Sequence, residues 1–201
     1  MKIKLCHVTE NSEQLIERIG RECYNSKDKI CEGSHEQFIK NLIKRGHTSV
    51  LEHANATFYF AEVSRAFSHQ LVRQRIASPT QKSQRYCREH QFDYTIPESI
   101  SKNLSSKVKY NQLMMRIQET YDSLVKEGIP PQDARFVLPN ACHTSLFFTA
   151  NFREWRHIIE LRCEKSAQWE IRYVMIEVLK KLFDSAPSCF IDLYDKYICD
   201  E

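Results

Sequence analysis

Apolar and polar residues follow two patterns along this chain, one typical of strands and the other of helices. Residues 2–8 alternate imperfectly and predict an edge strand, residues 55–63 are aromatic and rich in β-forming side chains, and residues 144–150 suit a buried strand. Helices are predicted at about residues 9–24, 34–46, 64–73, 101–127, 131–136, 151–163 and 167–185. We therefore expect the α+β class, with helices in the majority.

Polar residues at the predicted helix starts support these boundaries. Ser34 and Gln37 have the spacing of a capping box, and Asn151 with Glu154 combines an N-cap with an acidic residue in the first turn. Ser64 is placed to cap the helix that follows the second strand. We therefore expect these three helices to begin at side chains that bond to backbone amides.

The helix predicted over residues 151–163 carries one apolar stripe that ends in Arg162. At ~100° per residue, the stripe consists of Phe152, Trp155, Ile159 and Arg162. A cation at the end of a buried stripe is costly unless it is paired or reaches water. Arg162 therefore either snorkels to the surface, pairs with Glu164 or Glu170, or contacts a ligand, and the stripe alone leaves these possibilities open.

The size and charge of the chain limit the classes of function. Its 201 residues suit a single domain, 1–201, and the net charge of +3 is too small for a protein that coats nucleic acid. No apolar run approaches the roughly 18 residues that span a bilayer, and the first residues lack the apolar core of a signal peptide. We therefore predict a cytoplasmic protein that binds neither nucleic acid nor membrane.

Cysteine and histidine spacings give little support to a metal or disulfide framework. The eight cysteines are dispersed without a C-x-x-C pair, and His47, Glu52 and His53 lack a further ligand, so no metal is predicted. Cys87 lies near Arg85, which can stabilise a thiolate. A reactive role for Cys87 therefore stays open beside that of a reduced, structural thiol.

Residues 73–86, RQRIASPTQKSQRY, gather cations, and no carboxylate occurs from Val63 through Arg88. Such a segment is expected to bind an anion from outside. The four glycines of the chain all lie elsewhere, which excludes a phosphate-binding loop or dinucleotide fingerprint in this segment. Any phosphate must then be held by side chains, chiefly by arginine.

A family pattern is present in the same segment. Arg73-Gln74-Arg75 is followed by seven residues and then by Ser83. Three further segments are GHTSVLEH at 46–53, GIPPQDARFVLP at 128–139 and NFREWRHIIELRCEKSAQWEI at 151–171. Over about residues 1–190 the chain thus resembles the flavin-dependent thymidylate synthases. The resemblance implies that family's fold, with helices around a central, mostly antiparallel β-sheet.

The resemblance implies the reductive methylation of dUMP to dTMP. In this family 5,10-methylenetetrahydrofolate donates the carbon, and FAD reduced by NADPH supplies the hydride. A homotetramer with shared active sites is also implied, with dUMP, a folate and a nicotinamide nucleotide as ligands. No cysteine would attack the pyrimidine, because Arg162 would polarise the ring as the catalytic residue.

The resemblance assigns ligand-binding roles residue by residue. The positions that match dUMP-binding residues are Gln70, Arg73, Gln81, Ser83, Arg85, Arg135 and Arg162. The positions that match FAD-binding residues are Ser49, Arg73, Gln74, Arg75, Gln81, Asn151, Arg153 and His157. If the segment were helical, Arg73 and Arg75 would point ~200° apart and could serve different ligands. Arg153 and His157 share a helix face, which without the resemblance is typical of a solvated surface.

Three residues depart from the family pattern. Gln74 stands where histidine is most common, Gln81 where several members have glutamate, and His157 where asparagine is expected. A catalytically impaired relative therefore stays open. So do a cysteine-dependent methyltransferase that uses Cys87 and a nucleic-acid-binding module that uses residues 65–88.

Overall fold

Within residues 1–199, the part of the chain that the computed structural model describes, four strands form one antiparallel sheet. The strands are β1 (Lys2–Val8), β2 (Asn55–Ser64), β3 (Ala77–Gln81) and β4 (His143–Asn151). Their order is β1-β2-β4-β3, so β1 lies at an edge, as the alternation of residues 2–8 predicted. The other edge strand, β3, was not predicted, and an edge position tolerates its Pro79, which lacks an amide donor.

Helices contribute most of the remaining regular structure of these residues. They are α1 (Ser12–Cys23), α2 (Ser34–Lys44), α3 (Arg65–Leu71), α4 (Glu98–Ser101), α5 (Leu104–Lys126), α6 (Pro131–Ala134), α7 (Phe152–Arg162), α8 (Trp169–Ser185) and α9 (Pro187–Tyr194). Short 3₁₀ helices occur at Lys27–Lys29, Thr48–His53 and Arg135–Val137, and a π-helical turn at Asp195–Cys199. The predicted α+β class with a majority of helices is confirmed.

Two of the predicted helix caps are confirmed. The Asn151 side chain accepts a hydrogen bond from the Glu154 amide at 2.8 Å, so it fixes the first turn of α7. The Ser64 hydroxyl accepts one from the Phe67 amide at 3.0 Å and caps α3. Both residues end a strand and begin a helix, which makes them rigid corners of the fold.

The predicted capping box at Ser34 is wrong. Ser34 is the first residue of α2, and Gly33 occupies the capping position with a φ of 74°. The Ser34 hydroxyl instead donates to the Glu17 carboxylate of α1, 2.8 Å away. The bond partner lies in another helix, so the local spacing could not identify it.

The described chain groups into two compact units. The first comprises residues 1–2, 60–70 and 80–146. Phe92, Met114 and Cys142 form its buried cluster, around which Tyr94 and Tyr110 pack. The prediction of a single domain over residues 1–201 stays a prediction.

The second unit comprises residues 3–59, 71–79 and 147–199 of the described chain. Its core includes Trp155 and Phe152 of α7, both fully buried. The Phe152 ring packs against Phe190 of α9 with centroids 5.2 Å apart. Buried aromatic side chains thus attach α7 to the interior of this unit.

Two features are absent from residues 1–199. No helix in this part of the chain is long and apolar enough to cross a membrane. The same residues contain no group of three or more histidine, cysteine or carboxylate side chains placed to hold a metal ion.

Candidate functional site

Helix α7 is held in the second unit by one side of its surface. Trp155 donates a hydrogen bond from Nε1 to the Ala56 carbonyl at 3.0 Å. Its ring also packs edge-on against Phe58 and Phe148, with centroids 5.1 and 5.4 Å away. Because the buried stripe fixes the rotation of the helix, the face that carries Arg153 is turned toward solvent.

Two hollows lie along this outer face of α7. One has a volume of about 390 Å³, and its lining residues are Glu52, Ile76, Asn151, Arg153, Glu154 and His157. The other, of about 370 Å³, also contacts Arg153 and His157. The structure therefore brings together three residues that the sequence assigned to one ligand, namely Asn151, Arg153 and His157.

Arg153 forms an ion pair with Glu52 of the 3₁₀ helix Thr48–His53. Its Nη1 atom lies 2.5 Å from Glu52 Oε1, and both side chains are about half exposed. A guanidinium has five N–H donors, so this contact leaves donors of Arg153 for a further acceptor. Sequence reasoning considered Glu52 only as a weak metal ligand and missed this pairing, which joins residues 101 positions apart.

A second ion pair lies on the same helix, and its guanidinium is buried. Arg156 is only 6% exposed, and its two terminal nitrogens lie 2.7 and 2.6 Å from the carboxylate oxygens of Asp192. The same guanidinium donates to the Cys189 carbonyl at 2.6 Å. This fork fastens α7 to α9 next to His157, and no sequence pattern had indicated it.

The segment that follows α3 is not helical. Residues 72–76 form turns and bends, and the Gln74 amide donates to the Leu71 carbonyl at 3.2 Å. Helix α3 ends at Leu71, two residues before Arg73. Arg73 and Arg75 therefore do not lie on a helix, and the divergence of ~200° predicted for a helical segment does not apply. Both arginines are exposed, and the adjoining Ile76 lines the larger hollow on α7.

Ser49 and His47 lie at the start of the 3₁₀ helix that carries Glu52. Ser49 is exposed, and the structure does not place it in either hollow on α7. His47 precedes the helix, with its Nδ1 atom 3.0 Å from the Tyr24 hydroxyl. The predicted role of Ser49 therefore stays a prediction.

In the first unit, Gln81 is held by two hydroxyls. Its Nε2 atom donates to Ser68 Oγ at 2.8 Å and to Thr144 Oγ1 at 3.2 Å. These bonds fix the orientation of the side-chain amide. Gln81 therefore has a defined position in spite of its departure from the family's glutamate.

Ser83 organises the turn that follows β3. Its carbonyl accepts from the Cys87 amide at 2.9 Å, and its hydroxyl accepts from the Arg85 amide at 3.2 Å. The Arg85 guanidinium lies over the Tyr86 ring, 5.5 Å from its centroid. The structure thus places Ser83 and Arg85 in one turn, with the arginine side chain exposed.

Lys82 is not one of the free cations of this segment. It lies 2.8 Å from Glu89, whose carboxylate is buried. Burial lowers the pKa of Lys82, but the hydrogen bond and charge of Glu89 outweigh it and raise the pKa above its usual value. The expectation of a segment without counter-charges is therefore wrong for Lys82. Its partner Glu89 is the first residue after the stretch without carboxylates, which ends at Arg88.

Arg135, predicted to bind the nucleotide, lies near a second arginine that sequence reasoning missed. Burial lowers the pKa of Arg65, and the positive charge of Arg135 lowers it further. Arg135 itself donates from Nε to the Gln132 carbonyl at 3.0 Å. The two guanidiniums bring positive charge to this region of the first unit, which favours an anion, and the charge of Glu89 offsets part of it at Arg65.

The two remaining predicted residues lie at helix ends. Gln70 donates from Nε2 to the Ala66 carbonyl within α3 at 3.3 Å. Arg162 is the last residue of α7; its Nε atom is buried, while the residue as a whole is partly exposed. The end of the apolar stripe thus lies at the boundary between core and solvent, and the role of Arg162 stays a prediction.

The cysteines are reduced within the described chain, and five of the eight are exposed. Burial raises the pKa of the Cys142 thiol to about 12, so this thiol is inert at neutral pH. Cys87 is exposed in the turn after Ser83. The alternative of a reactive Cys87 therefore stays a prediction.

Comparison with known proteins identifies the family. A family model described as thymidylate synthase complementing protein matches residues 4–188. The flavin-dependent thymidylate synthase of Geobacter sulfurreducens is 40% identical over 200 residues, which cover 96% of this chain and 86% of that protein. The enzymes of the same name from Clostridium tetani and Corynebacterium glutamicum are 36% and 34% identical, over 94% and 95% of this chain and 85% and 83% of theirs. The chain therefore belongs to the family of the flavin-dependent thymidylate synthases.

Proposed function

We propose that this protein is a flavin-dependent thymidylate synthase that converts dUMP to dTMP by reductive methylation. The carbon donor is 5,10-methylenetetrahydrofolate, and NADPH provides the reducing equivalents through FAD. The observation that carries the proposal is the convergence of Asn151, Arg153 and His157 on one hollow in a chain that matches this family over residues 4–188.

The donors around the larger hollow on α7 fit a flavin nucleotide. The imidazole of His157 and the donors that Arg153 keeps beside its ion pair with Glu52 suit the carbonyl oxygens of the flavin ring, and Ile76 adds an apolar wall. The full set proposed to hold FAD is Ser49, Arg73, Gln74, Arg75, Gln81, Asn151, Arg153 and His157. When bound there, FAD supplies hydride chemistry that no side chain of the protein provides.

The residues proposed to hold dUMP combine amide groups with arginine forks. They are Gln70, Arg73, Gln81, Ser83, Arg85, Arg135 and Arg162. The turn at Ser83 and the positive region formed by Arg65 and Arg135 support phosphate binding in the first unit. Arginine suits this task because its planar fork bonds two phosphate oxygens at once.

Arg162 is the residue proposed to activate the pyrimidine. A guanidinium that donates to the ring carbonyl stabilises negative charge on the ring, so carbon 5 becomes a better nucleophile toward the one-carbon unit. The core anchoring of α7 through Trp155 keeps Arg162 in place. In this mechanism no cysteine attacks carbon 6, and Ser83 binds the substrate rather than acting as a nucleophile, since no base lies beside it in sequence.

The proposed assembly is a cytoplasmic homotetramer with shared active sites, without a metal, nucleic acid or membrane partner. Large apolar side chains at the surface support an assembly of several copies. Phe136, Tyr86 and Leu104 are 83, 79 and 78% exposed in the single chain. Light scattering after gel filtration tests this part, and a monomer at micromolar concentration contradicts it.

The folate product provides the test of the reaction. Purified protein, dUMP, FAD, NADPH and methylenetetrahydrofolate are incubated, and dTMP and both folate products are separated by chromatography. The proposal predicts dTMP and tetrahydrofolate in equal amounts, with Cys87→Ser fully active. Dihydrofolate as the product, together with loss of activity in Cys87→Ser, supports a cysteine-dependent methyltransferase. Bound FAD without any dTMP identifies a catalytically impaired relative.

A further inference from the structure

A third hollow of the second unit lies between α1 and α2. Its volume is about 280 Å³, and its wall combines three cations, Arg21, Lys29 and Arg45, with the aromatic rings of Tyr24 and Phe38. Among residues 1–199, no carboxylate lines it. A hollow with cationic and aromatic walls suits an anionic ligand that also carries a flat or apolar part.

Two of these three cations are available for a ligand. Arg21 is bonded to Glu17 at 2.9 Å and lies over the Phe38 ring, 4.3 Å from its centroid, so its charge is already balanced. Lys29 and Arg45 are exposed, and within residues 1–199 neither of them forms an ion pair. The positive charge of the hollow therefore lies on side chains that are free to bind phosphate or carboxylate groups.

The hollow is joined to the candidate flavin site by a short path of contacts. The Tyr24 hydroxyl lies 3.0 Å from Nδ1 of His47, and the His47 amide donates to the carbonyl of Leu42 in the wall of the hollow at 2.9 Å. His47 precedes the 3₁₀ helix whose Glu52 pairs with Arg153. The end of α2 and the residues after it thus contribute to both places, since Leu42 and Arg45 line this hollow and Ile43 and Thr48 line the hollow of about 370 Å³ on α7.

We propose that this hollow binds the anionic end of a co-substrate whose reactive ring lies at the flavin site. The chemistry it recognises is a set of two or more negative charges on a flexible arm, either the phosphates of a nicotinamide nucleotide or the glutamate carboxylates of a folate. The volume suits such a fragment rather than a complete dinucleotide. This inference rests on the proposed function, because that function names the co-substrates.

The test uses charge-neutral variants of the exposed cations. The full-length, FAD-loaded protein is compared with the double variant Lys29→Gln/Arg45→Gln. The control is Lys40→Gln/Lys44→Gln, which removes two exposed cations of α2 that do not line this hollow. Dissociation constants are measured by calorimetry for NADP⁺ and NAD⁺, which carry the same phosphates but do not reduce FAD, and for tetrahydrofolate with one and with three glutamates. Circular dichroism verifies that the variants are folded.

The proposal predicts that the Lys29/Arg45 variant binds one co-substrate pair about tenfold more weakly, while the control and the FAD content stay unchanged. A loss confined to the two nicotinamide nucleotides identifies their phosphates as the ligand, and a loss confined to the folates, larger for triglutamate than for monoglutamate, identifies the folate. Equal binding by all three proteins, or no binding of any probe by the unaltered protein, overturns the proposal. If the Lys29/Arg45 variant binds one co-substrate more weakly than the control does but the unaltered protein forms no dTMP, the proposed function is wrong and the proposed binding site is supported.

Discussion

The fork between Arg156 and Asp192 offers the sharpest test of how the site is built. Asp192→Ala removes both carboxylate contacts of a guanidinium that is 6% exposed and, within residues 1–199, leaves it only the Cys189 carbonyl. Breaking a fully buried pair costs roughly 3–5 kcal/mol, and a hydrogen bond to a charged group is worth about 1.5–3 kcal/mol. Since the Asp192 side chain is 46% exposed, the range for a hydrogen bond to a charged group applies, and not the range for a fully buried pair. We expect a loss of about 2–3 kcal/mol in the free energy of unfolding.

Thermal and urea unfolding of the flavin-free protein measure this loss. For a chain of this size, about 2–3 kcal/mol corresponds to a decrease in Tm of roughly 4–12 °C. Asp192→Asn keeps one acceptor oxygen and should lose about half as much. Asp184→Asn, on the exposed side of α8, serves as the control and should stay within about 0.5 kcal/mol.

The same variants link the fork to the candidate site. Because Arg156 fastens the helix that carries Arg153 and His157, Asp192→Ala should also weaken FAD binding in a fluorescence titration. Equal stability of Asp192→Ala and the Asp184 control would refute the structural role of the fork. A loss of stability without any change in the affinity for FAD would refute its functional role.

Three further predictions concern single side chains. Arg153→Gln should weaken FAD binding at least tenfold in a flavin-fluorescence titration but change stability by less than about 1 kcal/mol, because its ion pair is half exposed; unaltered affinity contradicts the assignment. Gln81→Leu loses the hydrogen bonds to Ser68 and Thr144 and should lower the free energy of unfolding in urea by about 1–2 kcal/mol. Gln81→Glu can accept hydrogen bonds from both hydroxyls and should lower it less. Equal losses in the two variants would show that these hydrogen bonds do not contribute to stability. Burial raises the pKa of the Cys142 thiol to about 12 from its usual value near 9, so the unfolded chain loses this proton first as the pH rises. The free energy of unfolding should therefore fall above pH ~9. Cys142→Ser should make Tm less dependent on pH between about 8 and 10.5. If the slope of Tm against pH is the same in this variant, the Cys142 thiol does not cause the pH dependence.

Elements that depend on neighbouring residues could be predicted from the sequence. The Asn151–Glu154 cap and the buried stripe of α7 both follow from spacings within a single helix, and the structure confirms them. The N-cap at Ser64 was likewise predicted from residues that are close in the chain. In each case the partner lies within a few residues, so spacing alone identifies it.

Contacts between distant residues could not be predicted in this way. Glu52 contacts Arg153 across 101 positions, and the charge of Arg135 lowers the pKa of Arg65, which lies in another element. The Ser34 hydroxyl donates to Glu17 of a different helix, and the capping box predicted from the local spacing does not form. Which charges remain available for a ligand depends on such pairings, and therefore on the complete fold.

The central claim is tested most directly by the release of hydrogen from carbon 5 of dUMP. Purified protein is given dUMP tritiated at carbon 5 with FAD, NADPH and methylenetetrahydrofolate, and each of these is omitted in turn. The proposed mechanism predicts release that requires all three, and an Arg162→Ala variant that binds dUMP but releases no tritium. Release that continues without FAD and NADPH would contradict this mechanism and would point to a cysteine nucleophile instead.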